Sequence, residues 1–368
     1  MQIDVDVSGR KVVVFGTLAG SRRVVRRWTA AGARVTVAVP GLLPAPTPRS
    51  DGVRVVPQPE PDDARGLLRL VGPAWSVVVV DVVPELAERV TALAGHLRLL
   101  VQHETPALAG GRVTLVGGGP GSTRLLTLEA VQALAEADAV LYDRLAPTDD
   151  LPALAPGAEL VDVGKRPYHH PVSQHSIEVQ LVARARAGQS VVRLKGGDAF
   201  VFGRGGEEML ACIEAGVPVR LVPGLSSALA VPAASGIPVT HRGLSHAFTV
   251  ISGHVPPAAE ELAALVRLGG TVVVLMGIAN LEQIVAGLCA AGLDPAVPAA
   301  VVERGFSASQ RSTFTTVGRL PAEVRRLDLG SPAVVVIGAV VDVAPAAGRT
   351  GELLAALDAV APAGVRER

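Results

Sequence analysis

The residues able to do chemistry in this chain stand where short Val-rich runs give way to small residues. Ala139-Val-Leu-Tyr142 is closed by Asp143, and the next such run, Glu159-Leu-Val-Asp-Val163, delivers Gly164-Lys165-Arg166. Groups at the carboxyl ends of parallel strands lie on the edge where open α/β sheets hold their ligands, so an acid and a base face one cleft. Taken alone, Asp143 reads first as a helix N-cap or a surface ion pair. Three turns of small residues belong to the same edge: Gly117-Gly-Gly-Pro-Gly-Ser122, Lys195-Gly-Gly-Asp198 and Pro223-Gly-Leu-Ser-Ser227. The second opens VRLKGGDAFVFGRGGEE, residues 192–208, in which five of seventeen residues are Gly. So many residues without side chains imply close approach to the backbone. In the first turn Pro120 has no N–H to offer a phosphate and no Gly-Lys-Ser/Thr follows, which leaves a site for a ligand without phosphate or a plain tight turn. His169, His170 and His175 lie in the segment Tyr168-His-His-Pro-Val-Ser-Gln-His175, which has no carboxylate or thiol at ligand spacing, and no metal is expected.

These turns need elements to hold them. Val-rich runs alternate with Ala/Leu-rich amphipathic segments through the chain, the pattern of parallel sheets flanked by helices. The expected strands are KVVVFG, RVTVAVP, SVVVVD, RVTLV, AVLYD, ELVDV, SVVRL, VRLV, AFTVIS, TVVVLMG, PAAVVE and AVVVIGAVV, with Pro40 to Pro61 read as a Pro-rich passage. Turn chemistry at Ala109-Gly-Gly111 and around His241 divides the chain into α/β units at 1–110, 111–240 and 241–345, with a tail at 346–368. A length of 368 residues suits about two or three domains, and 49% hydrophobic residues supply their cores. The 34 Lys and Arg equal the 34 Asp and Glu, so no global field draws nucleic acid or an anionic membrane. Two cysteines, Cys212 and Cys289, exclude a disulfide framework and fit a reducing cytoplasm. The first residues lack a signal-peptide pattern, and no apolar run nears the roughly 18 residues that cross a bilayer.

In order, GGGPGSTRLLTL, LYDRL, VGKR, RLKGGDAFVFGRGGEE, VPGLSSA, SGIPVTHR, SGH, VVLMG and SPAVVVIGAVV resemble the motifs of the tetrapyrrole methylases, closely those of uroporphyrinogen-III C-methyltransferases, over about Arg112 to Val343. The resemblance implies a two-domain methylase fold preceded by a Rossmann-like α/β domain, a homodimer, and S-adenosylmethionine (SAM) bound between two α/β domains. It implies methylation of uroporphyrinogen III at C-2 and C-7 to precorrin-2, on the way to sirohaem and cobalamin. Another tetrapyrrole or corrin methylase is the alternative. By motif, the SAM contacts fall on Pro120, Gly196, Gly197, Asp198, Val201, Ser226, Ser227, Met276 and Gly305, and the acid and base on Asp143 and Lys165. Arg144, Arg166, Arg204, His241, Arg242 and Arg311 lie within the matched motifs and are the expected partners of the substrate's carboxylates. Two departures stand out: Ala199 replaces the family's Pro in GGDPF, and the Gly-Thr-x-x-x-Gln-Arg motif reads Gly305-Phe-Ser-Ala-Ser-Gln310-Arg311.

The first block resembles the NAD-dependent dehydrogenase domain fused to this methylase in sirohaem synthases, through KVVVFG, a basic helix and AGARVTV. Its dinucleotide turn reads Gly16-Thr17-Leu18, and Arg34-Val-Thr-Val-Ala-Val39 ends at Pro40 without an acid for ribose. NAD binding is therefore not expected, and residues 1–110 read as a degenerate domain kept for stability or assembly. A bifunctional enzyme with a working dehydrogenase is the competing reading.

Overall fold

The computed structural model describes residues 6–41, 53–104, 106, 110–164 and 173–344. Three five-stranded sheets succeed one another along it. The first contains β1 (Lys11–Phe15), β2 (Arg34–Val39), β3 (Val53–Pro57), β4 (Ser76–Val79) and β5 (Leu100–His103), all parallel, in the order β3-β2-β1-β4-β5. Helices α1 (Leu18–Ala30), α2 (Ala64–Val71) and α3 (Pro84–His96) connect them. The second contains β6 (Arg112–Gly117), β7 (Ala139–Tyr142), β8 (Glu159–Asp162), β9 (Ser190–Lys195) and β10 (Val219–Val222), again all parallel, in the order β10-β6-β9-β7-β8. Its helices are α4 (Leu128–Ala135), α5 (Leu151–Leu154), α6 (Gln174–Arg186), α7 (Gly205–Glu214) and α8 (Ser227–Ala234).

The third sheet departs from the parallel expectation. It orders β11 (Phe248–Ser252), β12 (Thr271–Leu275), β13 (Pro298–Glu303), β14 (Arg311–Thr316) and β15 (Ala333–Ile337) as β11-β12-β15-β13-β14. Only β11 and β12 pair in parallel; β15 runs against both β12 and β13, and β13 runs against β14. The short link from β13 to β14 contains no helix, and a connection that short returns a strand antiparallel. Helices α9 (Ala259–Leu268), α10 (Leu281–Ala290) and α11 (Leu320–Arg326) complete this unit. The run expected as one strand, AVVVIGAVV, stops at Ile337 and turns at Gly338 into a short 3₁₀ segment that buries Val340 and Val341.

Local chemistry explains where the helices begin. Thr17, Asp63, Thr127, Ser173 and Ser226 each accept a backbone N–H of the first helical turn that follows, satisfying donors that have no partner inside the helix. Strand runs are continuously apolar because helices cover both faces of each parallel sheet. In the second sheet Val116, Val140, Val192, Leu194 and Val222 pack on one side with Leu134, and Val113, Leu115, Leu141 and Val191 on the other with Leu181 and Cys212. Helix α8 follows the second sheet in sequence, yet its Ala228 and Val231 share a core with Val273, Val302 and Val336 of the third. It ties the two units together.

Cys212 is fully buried in this core, and burial with the nearby carboxylates of Glu208 and Glu178 pushes its thiol up to about 11. At neutral pH a water-soluble disulfide reagent is therefore expected to leave Cys212 unmodified in the folded protein and to titrate it on unfolding. Peptide mapping showing rapid native labelling of Cys212 would contradict this packing.

Candidate functional site

In the second sheet the chain leaves β6 toward one side and β9 toward the other, so the crevice between their carboxyl ends is the switch point where such sheets bind ligands. The turns after these two strands meet there. Gly119 N–H donates to the Gly197 carbonyl at 3.1 Å, Gly197 N–H returns a bond to the Gly119 carbonyl at 2.6 Å, and Gly118 N–H donates to the Lys195 carbonyl at 2.7 Å. The third turn closes on them: a Cβ on Gly117 would lie 2.5 Å from the Gly224 nitrogen. A Cβ on Gly196 would lie 2.6 Å from the Leu145 Cβ, in the turn after Asp143. Much of the glycine in these motifs is thus required by other turns of the protein itself. Gly197 differs, since its φ of +67° is what excludes a side chain.

Asp198 fastens this assembly. One carboxylate oxygen accepts the Phe200 N–H at 2.8 Å and the other the Gly224 N–H at 3.0 Å, linking the turn after β9 to the turn after β10. Ala199, where the family pattern has Pro, is fully buried, and its carbonyl accepts the Gly205 N–H. A Cβ on Gly203 or Gly205 would come within 2.6 Å or 2.5 Å of that carbonyl oxygen. Ser226 caps α8, and Ser227 lies against Gly197.

Beneath the turns lies a cluster that the motif reading missed. Glu208, on α7 and with no solvent exposure, accepts from Lys195 Nζ at 2.9 and 3.0 Å and from Arg193 Nε at 3.1 Å. Arg193 Nη2 reaches Asp143 Oδ2 at 3.3 Å, while Asp143 Oδ1 accepts the N–H groups of Leu145 and Ala146. Two cations and two carboxylates balance. Burial, followed by the neighbouring Arg193 charge, lowers the proton affinity of Lys195, and Glu208 opposes that shift. The signal was present in the sequence: Arg193 and Lys195, two residues apart in a central strand, point to one face and require buried countercharge.

Backbone conformation marks the same edge. Seven described residues other than Gly have positive φ, and five of them, Phe202, Arg204, Met276, Arg304 and Phe306, lie in the turns after β9, β12 and β13. Left-handed backbone at bulky residues costs about 1–3 kcal/mol each and is concentrated where binding repays it. Phe200, Val201, Phe202, Met276 and Phe306 in these turns, with Leu145 after β7 and Leu225 after β10, expose apolar side chains. The second and third units approach each other here, with Gly305 against Val231 of α8 and its carbonyl 3.8 Å from a Cβ placed on Gly121.

The remaining candidates divide. Pro120 follows the Gly119 bridge, and Arg144 is exposed beside Asp143 with its backbone against Gly164. Lys165, Arg166, His169 and His170 lie outside the described residues. His175, on α6, is 3.8 Å from Glu178, and among the described residues no three potential metal ligands gather. Arg204 is paired with Glu207 at 2.6 Å. Arg311 is committed to Glu303 and to the carbonyls of Leu327 and Asp328. His241 and Arg242 line a cavity of about 560 Å³ before β11, where Ser245 bonds Thr271 at the start of β12; this is the opposite edge of the third sheet from Met276 and Gly305.

The sequence comparisons agree with this geometry. A family model described as Tetrapyrrole (Corrin/Porphyrin) Methylases matches residues 112–321, and the chain belongs to that family. Among its relatives, a protein named uroporphyrinogen-III C-methyltransferase from Methanobacterium ivanovii is 44% identical over 226 residues, 61% of this chain and 95% of the relative. A siroheme synthase from Gluconacetobacter diazotrophicus is 44% identical over 238 residues, 64% of this chain and 51% of that protein. The chain thus spans about half the length of the siroheme synthases it matches. The crystal structure of uroporphyrin-III C-methyl transferase from Thermus thermophilus, complexed with S-adenyl homocysteine, superposes with a TM-score of 0.55 at 44% identity, covering 63% of this chain and all of that one.

Two outcomes follow from the charges. Glu208→Gln leaves Arg193 and Lys195 buried with less countercharge, and urea unfolding is expected to show a loss of about 3–5 kcal/mol. In the third unit the hydrogen bond from Arg311, with the Gly330 N–H, holds the Glu303 carboxyl below its ordinary 4.5. A lowered carboxylate stabilises above its unfolded value, and that contribution is lost as pH falls below about 4.5. Arg311→Ala should accordingly move the acid-unfolding midpoint, followed by circular dichroism, to higher pH.

Proposed function

We propose that this chain is a SAM-dependent C-methyltransferase that methylates uroporphyrinogen III at C-2 and C-7, giving precorrin-2 for sirohaem or cobalamin. The observation that carries the reading is the junction of the Gly119 and Gly197 turns at the switch point with Asp143 one strand away. It is supported by relatives that bear this activity in their names and are matched over nearly their whole length.

The residues present fit SAM. In support, Gly197 with its open backbone, Pro120, Ser226-Ser227 and the exposed apolar Val201 and Met276 stand in the turns after β9, β6, β10 and β12, and Gly305 in the turn after β13 lies near Gly121. Gly196 and Asp198 act by holding that crevice in shape. When bound, SAM supplies a methyl group on a sulfonium sulfur that already leaves readily. The protein's part is to hold a pyrrole carbon in line with that methyl and to exclude water. New C–C bond formation leaves a surplus proton on the macrocycle. Asp143 is the group that accepts it, with Oδ1 pinned by two backbone N–H groups and Oδ2 held by Arg193. By the family resemblance, Lys165, outside the described residues, stabilises charge or returns a proton.

Uroporphyrinogen carries acetate and propionate groups around its rim. Arg144 with Lys165 and Arg166 is the cationic set this reading uses, because Arg204 and Arg311 already hold carboxylates of the protein and His241-Arg242 stand at another edge. We read the active form as a cytoplasmic homodimer; Val179, Leu210 and Ile213, apolar and exposed on α6 and α7, support a second copy. Among the described residues no helix is long and apolar enough to cross a membrane.

Anaerobic incubation with reduced uroporphyrinogen III and SAM is expected to yield a dimethylated product by mass spectrometry; absence of any methylated product would sink the proposal. Asp143→Asn should lower kcat by about 10²–10⁴-fold with SAM affinity nearly unchanged, whereas Asp198→Ala should weaken SAM binding in calorimetry. The reverse pattern would exchange the two roles.

A further inference from the structure

Residues 6–104 lie outside the matched family region, and their most distinctive feature is the helix Leu18–Ala30, with Arg22, Arg23, Arg26 and Arg27 in its middle. A basic surface helix in a protein of zero net charge would ordinarily face solvent or an anion. Here its arginines turn onto the rest of the chain. Arg22 Nη2 is 2.7 Å from the carboxylate of Asp138, whose side chain has no solvent exposure. Arg26 donates to the Asp138 carbonyl and, at 3.3 Å, to the Gly157 carbonyl. Arg23 donates to the carbonyls of Ala135 at 3.4 Å and Pro106 at 3.2 Å, and Arg27 pairs with Glu104 at 2.5 Å. Gly157 is pressed against the helix backbone: a Cβ there would lie 2.7 Å from the Arg23 carbonyl and 2.9 Å from the Arg27 nitrogen.

Asp138 is an effective anchor because of where it sits. It immediately precedes β7, and its other bonds join the amino ends of the neighbouring strands: its Oδ2 and its N–H engage Ser190 of β9, and its carbonyl accepts the Glu159 N–H of β8. The strands it binds together carry Asp143, Arg193 and Lys195 at their far ends. The start of the same helix is also covered. Pro106 and Asp81 lie 3.4 and 3.8 Å from a Cβ placed on Gly20, in the first turn, and Thr17 Oγ1 occupies the Gly20 N–H. A dinucleotide pyrophosphate would need that turn with its donors open, and would meet Pro106 and Asp81 instead.

We propose that α1 is an intramolecular docking helix: its arginines bolt the first domain to the amino edge of the methylase sheet through the buried Asp138, in place of receiving a dinucleotide. The bolt makes the first two sheets one cooperative unit. Removing Arg22 leaves a buried carboxylate facing one N–H and loosens the Asp138 link between the starts of β7 and β9.

The test is hydrogen exchange on the full chain. In Arg22→Ala/Arg26→Ala the amides of 138–142 and 190–195 are expected to exchange at least about tenfold faster than in the parent, with 298–303 of the third sheet unchanged. Arg22→Lys, which keeps the charge, should show a smaller effect. Unchanged exchange at 138–142 and 190–195 in the double variant would overturn the proposal. Should that variant fail to fold, Arg22→Ala/Arg26→Ala/Asp138→Asn decides: recovery of the folded circular-dichroism spectrum supports the pairing, and no recovery overturns it. Calorimetric titration of the parent with NAD should give no saturable binding, and saturable binding would refute the displacement of the dinucleotide. None of these readouts uses methylation, so they stand apart from the proposed activity.

Discussion

Glu208 is a carboxylate without solvent exposure on a helix that begins immediately after a Gly-rich turn, and the carboxyl edge of the second sheet is organised around neutralising it. Arg193 and Lys195 project from the central strand to meet it, and Arg193 extends the same charge network to Asp143. Charges so deeply desolvated persist only when paired and hydrogen-bonded, so the register of β9, the start of α7 and the orientation of Asp143 are set together. Such a network is weak as a source of stability and strong as a source of position. It gives that edge a fixed floor.

Above that floor the turns are held by close backbone approach. Gly117 against Gly224 and Gly196 against Leu145 leave no room for side chains where the turns cross, and Gly119 and Gly197, both of positive φ, exchange a pair of backbone bonds. Asp198 then locks two turns with one carboxylate. The result is a rigid rim from which Val201, Leu225 and Met276 stand exposed, the arrangement a site requires if apolar groups are to remain ordered without being buried in the core. Left-handed Met276 and Phe306 extend this rim onto the third unit, and α8, packed in the core of that unit, fixes the spacing across the crevice.

The first domain meets this machinery from behind. Its basic helix contacts Asp138 and Gly157, just before β7 and β8, at the edge opposite the one that carries Asp143. On the docking proposal, a fold suited to binding a dinucleotide serves here as a structural neighbour, in keeping with the rule that function resides in the site and not in the fold.

Much of this was legible in the sequence. The twelve expected strands, the α/β alternation and the gathering of turns with Asp143 on one edge follow from apolar period and from the rule that parallel sheets bind at strand ends. The strands that were not legible, β3, β5 and β14, all lie at sheet edges, where one side faces solvent and the apolar pattern is diluted; β3 further lies within the Pro-rich passage and ends in Pro57. Residue type alone could not separate Arg144 from Arg204 and Arg311, because a guanidinium spent on Glu207 or Glu303 is written with the same letter as one left for a ligand. Nor could it show that the glycines are crowded by other turns, or that Arg22 and Arg26 of one helix close on Asp138. The sequence by itself determined the elements and the edge they share, since those depend on local period and turn chemistry. Only the tertiary structure decided which charges neutralise one another, because Coulomb energy and desolvation depend on distances between residues far apart in the chain.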